Sequence, residues 1–127
     1  MTQKQVLNNL LFTSGKDIKA ARDLLRLKHY DWSLFLWHLA VEKILKAKIV
    51  SLGKSIFYTH DLVRLAKRAE IKLDKILTAQ LDEITTFNIE ARYDDYKLSF
   101  YKKVTKNYAE KWAKICDKIY ILIKTNR

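Results

Sequence analysis

Apolar side chains recur along this chain at intervals of three, four and seven residues, the spacing that gathers them on one side of an α-helix. From about Lys4 to Lys28 they are Val6, Leu7, Leu10, Leu11, Ile18, Ala21, Leu24 and Leu25. This predicts one amphipathic helix with His29 and Tyr30 as its exit. Gly15 interrupts it at a cost of about 1 kcal/mol relative to alanine, which a long helix tolerates, and marks a candidate bend. A second helix is predicted from Asp31, whose carboxylate suits an N-cap and the positive end of the helix dipole. It runs to Gly53 with Trp32, Phe35, Leu36, Leu39, Ala40, Lys43, Ile44, Ala47 and Val50 in a stripe wider than a solvent-facing helix needs. That breadth predicts the central helix, covered on most sides.

Beyond Gly53 the signals shorten. Thr59 is the expected cap of a third helix, with Asp61 in its first turn and Leu62, Leu65, Ala66 and Ala69 as its apolar positions. A fourth helix is expected from near Asp74, carrying Ile76, Leu77, Leu81, Ile84 and Phe87 toward Ile89. From Glu90 to Ser99 the periodicity fails, and an irregular connection is expected. A last helix, about Phe100 to Lys124, is predicted from Val104, Tyr108, Trp112, Ile115, Ile119 and Leu122.

Composition agrees with this pattern. Proline is absent, glycine occurs twice, and 49% of residues are hydrophobic, so little forces turns or sheet edges. The expectation is an all-α, up-and-down bundle of four to five helices, with residues 1–127 forming a single domain. No stretch approaches the roughly 20 apolar residues that cross a bilayer, and the N-terminus does not read as an export signal. A soluble cytoplasmic protein without membrane contact is therefore expected. The lone Cys116, next to Ile115, reads as a small core residue.

Charge changes the picture more. A formal net charge of +11 on 127 residues favours phosphates, nucleic acid or an acidic partner through its summed field. From Lys97 to the C-terminus nine basic residues face two acids, so the last helix carries much of the excess.

Four segments then stand out in order. They are Ala20 to Lys48, with Tyr30 and the run Ala40, Val41, Glu42, Lys43, Ile44, Leu45, Lys46; the string THDL, Thr59 to Leu62; ARYDDY, Ala91 to Tyr96; and the final amphipathic helix. Together these resemble the HEPN (higher eukaryotes and prokaryotes nucleotide-binding) domain family. The resemblance implies a helical bundle, commonly a homodimer, and commonly the partner of a minimal nucleotidyltransferase in a two-component, toxin–antitoxin-like module. Many members of that family are metal-independent endoribonucleases with an arginine followed, after four to six residues, by a histidine near the last helix. There the imidazole would move a proton and the guanidinium would hold the phosphate. Counted from Arg92, positions 97 to 99 are Lys97, Leu98 and Ser99, so the base is missing there. Arg22 and His29 match the spacing in the wrong part of the chain.

The expected function is accordingly a non-catalytic module that binds nucleotide or RNA phosphate or partners a nucleotidyltransferase. An endoribonuclease toxin and a structural oligomerisation protein are the alternatives. No catalytic residue and no cofactor is assigned, and three widely spaced histidines suggest no metal site. Arg92, Tyr93 and Tyr96 are candidate binding residues, since an arginine can hold phosphate bidentately and a tyrosine can stack on a base. The competing role for Arg92 is to pin its own segment by pairing with Asp94 or Asp95. Glu42 and Lys46 either form a solvated i, i+4 pair or line a polar cleft. His38 is expected to be partly buried and hydrogen-bonded, and His60 to be structural at a helix start.

Overall fold

The computed structural model describes residues 1–92 and 94–125; the side chains of Ile89 and Asp94 are likewise not described. Among these residues six helices follow one another: α1 (Gln3–Arg26), α2 (Tyr30–Ser51), α3 (Leu62–Arg68), α4 (Lys75–Arg92), α5 (Asp94–Lys103) and α6 (Lys106–Thr125). The expected all-α bundle is what forms.

α2 is its axis. Twelve of its 22 residues are buried, and it packs against α1, α6, α4 and α3, as its broad stripe predicted. Two small polar residues let neighbours come close. Ser33 donates to the Ala21 carbonyl at 2.7 Å, and Ser14, itself buried, lies 2.7 Å from the Tyr120 hydroxyl. Each satisfies a group that burial would otherwise penalise. Around α2 the core is continuous from Ile18 on α1 to Ile123 on α6, and Cys116 lies fully inside it, where burial pushes its thiol far above the ordinary range.

The helix ends differ from expectation in instructive ways. α2 starts one residue before Asp31, with His29 at the N-cap making no side-chain cap; Asp31 instead lies in the first turn, where its charge still suits the dipole. α3 is capped by Asp61, which accepts from the N–H groups of Val63 and Arg64, while Thr59 accepts from the Asp61 N–H at 3.1 Å. α1, α2 and α3 each close with the following pair of backbone bonds, from C′ to C2 and from C″ to C3, around a left-handed residue: Lys28, Gly53 and Glu70. Only one of the three is glycine, so composition hides two of these stops.

The largest correction concerns residues 90–103. The expected irregular connection is helical instead: α4 continues to Arg92, and α5 spans Asp94–Lys103. Periodicity fails there because α5 is anchored mainly by Phe100, packed 5.9 Å from Phe87, while positions 95 to 99 are exposed. One buried residue among the nine described side chains of α5 draws no stripe. The last helix then begins at Lys106 rather than Phe100, after Thr105 accepts from the Tyr108 N–H at 3.2 Å.

α1 runs through Gly15 without ending, and a Cβ built there meets nothing within 4 Å. Gly15→Ala is therefore expected to stabilise the protein by about 0.5–1 kcal/mol, read as a rise of a few degrees in thermal midpoint. A fall would mean that α1 needs a bend at this position.

Candidate functional site

His38, Glu42 and Lys46 stand at four-residue intervals on α2, so one face of the helix presents them in a row. The Glu42 carboxylate is only 5% exposed. A buried carboxylate needs partners, and Glu42 has two close ones. Lys46 Nζ donates to Oε2 at 2.9 Å, and His60 Nδ1 lies 2.8 Å from Oε1. His38 Nε2 is 3.8 Å from the same Oε1. With Glu42 charged, the short contact makes His60 Nδ1 the donor to Oε1.

His60 is delivered to α2 by the turn before α3. Thr59 and Asp61 on either side of it are tied by the turn and the cap just described, and the Leu62 N–H donates to Thr85 Oγ1 on α4 at 3.1 Å. The string THDL is thus a small frame that holds an imidazole over a carboxylate. His60 keeps 44% of its side chain exposed and Lys46 keeps 23%, so an imidazole and an ammonium reach solvent side by side.

Electrostatics follow from this arrangement. Burial pushes the Glu42 carboxyl up, but hydrogen bonds from His60 and Lys46, with attraction to His38 and Lys46, outweigh it and hold the group below its ordinary value. His38 is buried more deeply than expected, wholly inside the protein, with the His60 backbone and the Glu42 carboxylate as its polar neighbours. Burial lowers its pKa from 6.5 to about 4 against the pull of Glu42, so it is neutral at pH 7.

Glu42 and Lys46 therefore come together, in a polar cluster rather than a solvated pair. Arg92 is on α4 and Tyr96 on α5, and neither makes a hydrogen bond to that cluster. Arg92, exposed at the end of α4, reaches back to Asn88 Oδ1 at 3.4 Å, and Asn88 is buried. Tyr96 is half exposed. Tyr93 lies outside the described residues, as does the Asp94 side chain considered as a partner of Arg92. His38 and His60 are the members that sequence reasoning left out. The four-residue ladder from His38 to Lys46 was a usable signal for the first; nothing local signalled the second.

The Arg22 and His29 pair is not built as a catalytic site. α1 ends at Arg26, and His29 belongs to the turn that opens α2, so the two do not share a helix face. Arg22 instead lies over the Trp37 ring and 3.4 Å from Asp117. Among the described residues no group of three or more histidine, cysteine or acidic side chains is arranged to hold a metal ion. No helix among them is long and apolar enough to cross a membrane.

The cluster predicts a pH dependence with a definite sign. His38 binds a proton more readily unfolded than folded, so its contribution to stability is complete above pH 6.5 and is lost as pH falls toward 4. The loss is on the order of 3 kcal/mol. Glu42 acts in the same direction, because its lowered value makes the charged form the stabilising one above the ordinary carboxylate range. Urea unfolding between pH 7 and 4 should show this decline, and His38→Leu should flatten the part of it between pH 6.5 and 4. An unchanged slope in that variant would exclude His38 as its source.

The comparisons with known proteins agree with the fold. The crystal structure of TT1696 from Thermus thermophilus superposes with a TM-score of 0.82 at 19% sequence identity, over 95% of this chain and 98% of that one. At that identity the likeness is one of fold. No curated protein is similar enough to this chain to count as a match. The sequence profile of the HEPN domain matches residues 7–126, nearly the whole bundle from α1 to α6, and the chain therefore belongs to the HEPN domain family.

Proposed function

We propose that this protein is a non-catalytic HEPN binding module that takes the phosphate of a nucleotide or of RNA. The observation that carries this reading is the buried Glu42 carboxylate that holds His60 and Lys46 together at the surface. Glu42 does not contact the phosphate. Its role is to orient an imidazole and an ammonium whose outward hydrogen-bonding positions suit an oxyanion and its neighbouring hydroxyl. Arg92, exposed at the end of α4, is a candidate for a second phosphate contact and Tyr96 on α5 for stacking on a base; Tyr93, the other stacking candidate, lies outside the described residues. The +11 net charge raises the local concentration of such ligands.

Two features favour binding over cleavage. Positions 97–99 offer Lys97, Leu98 and Ser99 where a family nuclease would place its histidine. The alternative pair, Arg22 and His29, is separated by the end of α1. In the cell the module would act as a homodimer and as the substrate-binding or regulatory partner of a minimal nucleotidyltransferase, in a two-component system of toxin–antitoxin type.

Calorimetric titration with mononucleotides and with single-stranded RNA tests the reading. Binding is expected to weaken about tenfold or more in Lys46→Ala and in His60→Ala, the scale of one charge-assisted hydrogen bond of about 1.5–3 kcal/mol. For RNA the salt slope should also fall by about 1 in Lys46→Ala. RNA should remain uncleaved. Absence of binding to both ligand types, with no co-purification of a minimal nucleotidyltransferase, would reject the proposal.

A further inference from the structure

The segment between α2 and α3 carries more than His60. Tyr58, two residues before it, is fully exposed, and its ring makes no hydrogen bond or ring contact with any described residue. Its neighbour Phe57 packs against the core, with the Arg64 guanidinium 5.1 Å and that of Arg68 6.0 Å from its ring centroid. Arg68 is fixed further by donating to the Ser55 carbonyl and hydroxyl, each at 3.1 Å. Arg64 has only the ring. It is exposed, and its guanidinium N–H groups have no acceptor among the described residues.

The charge of this region is far from balanced. From Lys46 to Lys72 seven basic residues stand against two acids, Asp61 and Glu70. Asp61 is committed to the N-cap of α3 and Glu70 to Lys54 at 2.9 Å, while Glu42 is matched by Lys46 and His60. Among the described residues no acid pairs with Arg64 or with the exposed Lys67. An exposed aromatic ring by itself needs no explanation. Beside an unpaired guanidinium and an excess of cations it has the make-up of a single-strand-binding surface, where cations follow the backbone and rings take the bases.

We infer that this surface binds a single-stranded polynucleotide, with Tyr58 stacking on an unpaired base and Arg64 holding a phosphate next to the one that Lys46 and His60 take. The inference rests on the phosphate reading above and adds to it a class of ligand and two residues. Tyr58 and His60 are two residues apart, so their Cα atoms are separated by at most about 7 Å, within the span of one nucleotide. Stacking needs a bare base face, which a duplex covers with neighbouring pairs, so the surface discriminates against double strands. Base identity matters little, because every base has a π-face.

A short oligouridylate carrying 2-aminopurine at each position in turn reports on this directly, since the fluorescence of that base is quenched when it stacks on a ring. Binding with quenching is expected for the single strand and not for the same strand annealed to its complement. Ribo- and deoxyribo-oligomers each support the site by binding, and the tighter of the two identifies the sugar. Tyr58→Ala should weaken binding at least about fivefold and remove the quenching, with the thermal midpoint unchanged because the ring touches nothing; Tyr58→Phe should keep both. Arg64→Gln should lower the salt slope by about 1, whereas Lys19→Gln, which removes an exposed charge on α1, should leave it as it is. Weaker binding in Lys46→Ala but not in Tyr58→Ala overturns this inference and leaves the phosphate reading standing; no change in either variant overturns both. Equal affinity for the duplex, or a salt slope that Arg64→Gln and Lys19→Gln alter alike, also overturns the surface.

Discussion

The burial of α2 on most of its circumference is the constraint from which the rest of this structure follows. A helix apolar nearly all round cannot sit at a surface, so α1, α3, α4 and α6 are arranged as its cover. The small residues at the crossings, Ala21, Ser33, Ala40 and Ala47, are completely buried and allow that cover to approach closely. The larger side chains Trp37, Ile44, Leu45 and Ile49 fill the space between. At roughly 25 cal/mol per Å² of apolar surface, such burial is the dominant favourable term in a domain this size.

Placing a helix at the centre also places its polar residues there, and that gives the protein its chemistry. Glu42 could not be buried alone; desolvating one carboxylate costs more than the net gain from several hydrogen bonds. It is tolerated because Lys46 comes from its own helix one turn on and His60 from the turn before α3. His38 has only the His60 backbone and Glu42 beside it, too little to offset its burial, and remains neutral at pH 7. Burying that imidazole costs stability, and it makes this face of α2 the part of the protein most sensitive to acid.

Family membership and fold leave the activity open, since one helical scaffold supports many functions. What distinguishes this chain is local: Lys97, Leu98 and Ser99 after Arg92, and an ordered imidazole–carboxylate–ammonium cluster on one side of α2. The excess positive charge specifies no ligand, because a summed field attracts anions of every kind.

Helical periodicity was strong enough in the sequence to define α1, α2, α3, most of α4 and the greater part of α6, because each turns a recurring row of buried or half-buried apolar positions toward the core. The segments carrying the family resemblance were equally readable, as was the pairing of Glu42 with Lys46, which lie one turn apart on the same helix. Tertiary structure decided what has no local signal. α5 exposes nearly all its surface and is held by Phe100, so no pattern announced it. The stops at Lys28 and Glu70 use left-handed residues that are not glycine. His60 meets Glu42 across 18 residues of chain, and Arg22 on α1 lies over the ring of Trp37 on α2. Periodicity tells a residue which face of its own helix it occupies. Which other helix lies opposite that face is set by packing the whole chain around α2, and the sites are made there.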